Sequence, residues 1–150
     1  MKTISSQAVS TPGTGHTVRR VGQISYLVIS ALFALAILFQ VFMAGGGLFA
    51  SISWDSSPWL AIHRVFGYAL SLFPVVLLVL AFLVRQSWRR VGLNGLMVVL
   101  VGLQGVFINV PESMGLPLLS AFHLVNALLI FWLDMALLYA TWQDLRFART

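Results

Sequence analysis

Cysteine is absent from this chain, which excludes disulfides, thiolate metal ligands and thiol nucleophiles. Charge is nearly as scarce: Asp and Glu together number 4, Lys and Arg 9, and charged residues make up 9% of the 150 positions. Soluble domains carry about a quarter charged residues, so a water-facing surface of ordinary composition is excluded. No glycine-rich phosphate loop occurs, and Ser71 and Ser120 have no evident acid–base partners, which leaves hydrolytic chemistry without a motif. Histidine occurs only 3 times. Two of the three lie in apolar runs, too few for the three or four protein ligands that zinc takes.

What the chain has in abundance is apolar sequence, 59% of its residues, gathered into four runs. Each run reaches roughly 20 residues, enough to cross a hydrocarbon core of about 30 Å as a helix. The sequence therefore predicts an all-α integral membrane four-helix bundle with helices over 23–49, 59–84, 91–109 and 118–142. The transmembrane domain occupies 21–145, between a flexible cytoplasmic tail at 1–20 and a short one at 146–150. The first run is longer than the core of a secretory signal, so it is read as a retained helix, and His16 belongs to the tail.

The basic residues set the topology. Lys2, Arg19 and Arg20 precede the first run, Arg85, Arg89 and Arg90 separate the second from the third, and Arg146 and Arg149 follow the fourth. Asp55 and Glu112 occupy the opposite loops, with Arg64 just beyond the first. The positive-inside rule then places both termini in the cytoplasm. The net charge of +5 is a topology signal and implies no nucleic-acid partner. Trp54 and Trp59 fall at the outer interface, and Pro74 is expected to kink the second helix. Gly92, Gly95, Gly102 and Gly105 supply small surfaces for close helix contact on the third. The triple glycine at 45–47 either loosens a helix end or admits close backbone contact.

A weak internal repeat runs through this layout, helix, outer loop, helix, twice over. Gln40 precedes His63 as Gln104 precedes His123. Such copies are related by an axis along the membrane normal. His63 and His123 lie on helices running the same way, each roughly 6–8 Å below an outer end by the helical rise, so they share one layer. Ionisable residues at such depth face a bundle interior and mark sites. Two neutral imidazoles can supply both axial ligands to haem iron. Gln40 and Gln104 are placed to hydrogen-bond the second imidazole nitrogens. Gly67 and Ala127, one turn further on, leave clearance for a flat ring, and Arg64 can pair with a propionate. The same residues also suit a haem-free role, locking helices together, with Arg64 snorkelling to the interface. Asp134 shares the His123 face in the inner half, as a proton relay, a buried acid or an ion-pair partner of Arg85, Arg89 or Arg90.

The segment Gln40-Val41-Phe42-Met43-Ala44-Gly45, the pair His63-Arg64 with Gly67, Gln104 and His123 together resemble a family of small, functionally uncharacterised bacterial four-helix membrane proteins. More distantly, the His-Arg pair and the two helix-borne histidines resemble one half of haem A synthase, and four-helix membrane b-type cytochromes share the plan. The resemblance covers about residues 23–142 and implies that His63 and His123 are axial haem ligands. The carboxylate-bearing loop of a haem-modifying half is missing here, which favours a holder of haem b over an enzyme that alters it. The expected function is a bis-His b-type haem protein near the outer leaflet, serving electron transfer or haem handling rather than acting as a stand-alone enzyme. One haem in the outer half does not span the bilayer, so a redox partner, a quinone or a larger membrane complex is implied. A haem-free assembly subunit, alone or as a homo-oligomer, and a small proton-coupled carrier are the alternatives.

Overall fold

A computed structural model of the chain describes residues 14–50 and 57–147. They form five α-helices: α1 Thr14–Ala50, α2 Pro58–Leu70, α3 Leu72–Leu83, α4 Trp88–Ser113 and α5 Ala121–Phe147, the last entered through a 3₁₀ turn at Pro117–Ser120. Four segments are long and apolar enough to cross a membrane, with α2 and α3 acting as one. The protein is a four-helix membrane bundle. Residues 1–13 and 148–150 of the expected tails lie outside the described residues, as do Trp54 and Asp55. Residues 14–20, expected in the tail, form the first turns of α1.

Neighbours around the bundle run α1, α2–α3, α4, α5 and back to α1, so the diagonal pairs barely touch. At the end carrying Arg85, α3 packs on both α1 and α4. At the other end, α2 packs on α1 and hardly on α4 or α5. One side of the square is therefore open at the histidine end. The interior is a column of Tyr26, Phe33, Leu77, Met97, Ile130 and Leu137, all nearly or fully buried. Phe33 stacks on Phe73 with centroids 5.6 Å apart. Elsewhere large apolar side chains face outward, Val65 at 71% and Trp132 at 69% exposure, as lipid contact requires.

The α2–α3 break sits at Ser71, one turn ahead of Pro74, which has no N–H to give Leu70 and whose ring crowds the turn before it. The Ser71 hydroxyl donates to Tyr68 O at 2.6 Å and covers one of the loosened carbonyls. The third expected helix was to end near 109, but α4 runs on through Pro111 to Ser113. It stops at Gly115, where φ of +70° needs no Cβ. Gly115 N–H donates to Glu112 O at 3.1 Å and Leu116 N–H to Pro111 O at 2.9 Å, a Schellman closure.

The glycines sort into two groups. At 45–47 they continue α1, and a Cβ at Gly46 would stand 3.0 Å from the Trp59 ring and one at Gly47 3.8 Å from Leu60 N, so these two admit α2 against α1, while a Cβ at Gly45 would meet nothing within 4 Å. On α4 the expectation of close contact is not met. A Cβ at Gly92, Gly95 or Gly102 would meet nothing within 4 Å, and one at Gly105 only Asn109 of its own helix. Gly22 is the tightest position: a Cβ there would lie 2.5 Å from Val84 Cγ1, on a stiff, buried, β-branched side chain. Gly22→Ala is expected to destabilise the bundle by about 1–3 kcal/mol through overpacking. Thermal unfolding in detergent tests it, and an unchanged midpoint would show that α1 is not held there.

Candidate histidine layer

The structure brings His63 of α2 and His123 of α5 together across one diagonal of the bundle. Their ring centroids are 6.2 Å apart, with planes at 64°. Both rings are partly buried. Gln40, Gln104 and Gly67 join them in the layer; Arg64 is next to His63 in sequence but on the exposed surface of α2.

Gln40 holds its imidazole differently from the expectation. His63 Nδ1 lies 3.1 Å from the backbone carbonyl of Gln40, not from its amide. A carbonyl only accepts, so Nδ1 carries the proton and Nε2 keeps its lone pair. The Gln40 amide instead donates to the backbone carbonyl of His63 at 3.0 Å. The second hairpin repeats the pattern. His123 Nδ1 is 3.2 Å from Gln104 O. In the amide orientation that satisfies its neighbours, Gln104 Nε2 donates to His123 O at 3.1 Å and Oε1 accepts from Ala127 N–H at 3.3 Å. The same Nε2 is 2.9 Å from His123 Nδ1. That nitrogen is thus claimed by a carbonyl, which needs a proton on it, and by an amide, which needs a lone pair. His63 has a single assignment and His123 an exchangeable one.

Gly67 also has a role other than the expected one. The place its Cβ would occupy is 2.8 Å from Gln40 Nε2, so the clearance receives the glutamine rather than standing open. Gln40 Oε1 is buried beside it with no partner. Gly67→Ala should push the amide off the His63 carbonyl at a cost of about 1 kcal/mol. In a Gln40→Leu background the same substitution should cost little. Unfolding midpoints of the four proteins give the coupling, and additive effects would show that Gly67 does not make room for Gln40.

Asp134 lies roughly 16 Å from this layer along α5, 11 residues on at the helical rise. It is fully buried and accepts from Ser30 Oγ of α1 at 2.7 Å, while its Oδ2 has no partner. None of Arg85, Arg89 and Arg90 reaches it. Arg90 pairs with Asp144 instead, a partner in the last turns of α5 where the charge can stay near water. Below Ser30, Tyr26 OH donates to Asn94 Oδ1 at 2.9 Å across the other diagonal, and Asn94 Nδ2 donates to Arg90 O at 2.9 Å. Asn126 Nδ2 ties α5 to Leu100 O at 2.7 Å. Sequence reasoning passed over Tyr26, Ser30, Asn94 and Asn126. The available signal was spacing: Tyr26 and Ser30 stand one turn apart, and Asn126 shares a buried stripe of α5 with Ile130, Asp134, Leu137 and Thr141.

Among the described residues no three His, Asp or Glu side chains converge, so the pair of imidazoles is the candidate donor set for a metal group that brings its own equatorial ligands. No curated protein and no solved structure matches the chain. The model of a family of unknown function, DUF6220, matches residues 40–110, a span that holds Gln40, His63, Arg64, Gly67 and Gln104 and stops short of His123, and it is to this family that the chain is similar.

Proposed function

We propose that the protein is a membrane b-type haem protein with His63 and His123 as axial ligands, serving electron transfer or haem handling. The observation that carries this reading is the close pair of imidazoles on α2 and α5. Two metal–nitrogen bonds of roughly 2 Å, extended to the ring centres, put centroids about 6–6.5 Å apart, and the observed separation is 6.2 Å. The Gln40 carbonyl orients His63 so that Nε2 is the ligating nitrogen, as outer partners do at metal sites. His123 presents Nε2 in the tautomer in which its Nδ1 donates to Gln104 O. The donor chemistry fits; the clearance expected at Gly67 does not contribute, being filled by Gln40. The open side of the square at the histidine end gives a flat ring its access. Arg64, on the surface, suits a propionate. His63 and His123 are the residues that would hold the haem, which when bound would supply one-electron chemistry. What the chain itself does is hold two imidazoles at a fixed depth, orient them and shield them with Gln40 and Gln104.

The arginine-rich end faces the cytoplasm of a bacterial inner membrane in this reading, which puts the histidine layer toward the outer leaflet. Electrons leaving it need a quinone or a partner subunit. The likeness to one half of haem A synthase rests on His63-Arg64 and His123 alone.

The test is a haem titration of the full chain purified in mild detergent. One equivalent should give a Soret band that sharpens and shifts on dithionite reduction. A folded protein that stays colourless would overturn the reading and favour a haem-free assembly subunit, for which the outward-facing glycines of α4 would be the docking face. Asp134, with an oxygen left unpartnered, is the feature a proton-coupled carrier would use.

A further inference from the structure

At the opposite end of the bundle, independent of the histidine layer, we infer that the α3–α4 turn is a binding site for a phosphate group, presented by an anionic lipid headgroup or free in solution. The turn encloses a recess of about 210 Å³ lined by Phe82, Arg85, Gln86, Trp88 and Val91. At roughly 30 Å³ per water it has the volume of about seven waters, enough for a phosphate and the start of a glycerol.

Four features give that recess its chemistry. The first is Arg85. Helix α3 closes with Arg85 N–H on Phe82 O at 3.0 Å and Gln86 N–H on Ala81 O at 2.9 Å, which forces Arg85 to φ of +55°. Glycine takes this position without strain. An arginine here is explained by its guanidinium and not by the turn. The second is Gln86, whose Oε1 and Nε2 are both buried with no partner, against the rule that buried amides are bonded. The third is charge. Arg19, Arg20, Arg85, Arg89, Arg90 and Arg146 lie at this end, and the acidic group there among the described residues, Asp144, is engaged by Arg90. Arg85, which lines the recess, is therefore left for an anion, and Arg89, the residue after Trp88, adds positive charge to the same end. The fourth is Trp88, 81% exposed and edge-on to Phe82 at 6.1 Å, an aromatic at the level where lipid headgroups join their chains. Basic pockets between membrane helices are where anionic headgroups bind.

The experiment places the full chain in phosphatidylcholine nanodiscs containing either dibromo-phosphatidylglycerol or dibromo-phosphatidylcholine at the same mole fraction. Quenching of Trp88 is read as the difference between the wild type and Trp88→Phe. The phosphatidylglycerol lipid should quench more strongly, and Arg85→Gly and Arg89→Gln should each lower that preference about fivefold. Arg85→Gly removes the backbone strain, so it should unfold at or above the wild-type temperature while binding less; a fall in affinity is then not a fall in folding. No lipid preference, but a Trp88 response to inorganic phosphate that both substitutions weaken, would identify free phosphate as the source. No response to either, or a preference that survives both substitutions, would overturn the site.

Discussion

His63→Ala and His123→Ala are each expected to abolish the reducible Soret band of haem-titrated protein, with apparent affinity falling by at least about 100-fold, beyond the range that outer partners of a metal ligand account for. The two losses should be equal in kind, because the pseudo-symmetric hairpins give each imidazole the same carbonyl contact, His63 on Gln40 O and His123 on Gln104 O. Folding should barely change. Each substitution removes one side-chain hydrogen bond, about 1 kcal/mol, so the apo variants should unfold near the wild-type midpoint. Gln104→Leu is the graded control. Removing its amide leaves His123 Nδ1 with the carbonyl alone, so the band should persist. A Soret band retained in either alanine variant would remove that histidine from the proposed ligand pair.

Phe33→Ala should be the most damaging single truncation for stability, at about 3–5 kcal/mol. Phe33 is fully buried and stacks on Phe73, so α1 and α3 would lose their shared aromatic contact and enclose a cavity. Trp132→Ala is the comparison. Its side chain is larger but 69% exposed, so lipid replaces what is lost and the change should stay within roughly 0.5 kcal/mol. Equilibrium unfolding in mixed micelles ranks the two. Equal effects would mean that Phe33 does not anchor α1 to α3.

These expectations draw unequally on sequence and structure. The four spans follow from run length, because a hydrocarbon core imposes a minimum that no soluble helix need meet. The histidine layer follows from counting the rise along two helices that run the same way. Rotation about each helix axis is harder to read. Ser30 and Asp134 are 104 residues apart and meet only because α1 and α5 present those faces to each other. Sequence leaves Asp134 as a proton relay, a buried acid or a partner for arginine; the structure buries it on a serine and gives Arg90 an aspartate nearer water. A glutamine offers an amide and a backbone carbonyl, and sequence does not say which one a neighbouring imidazole will find. The exit of α4 shows the same limit. The apolar run places its end near 109, yet the helix continues through Pro111 to Ser113 and closes at Gly115, where backbone closure is unstrained.

The single-sided docking of α2 has a consequence for affinity. Because α2 rests on α1 and is joined to α3 through the break at Ser71, the distance between the two imidazoles is set by the α1–α2 contact and by the geometry of that break. A group that bridges them would bind only the fraction of molecules that hold α2 at the separation seen here, and its apparent dissociation constant would be the intrinsic one divided by that fraction. A substitution at Ser71 that stiffens the hinge would therefore retune binding without touching a ligand, which makes occupancy of the histidine layer a property of the hinge population as much as of the two histidines.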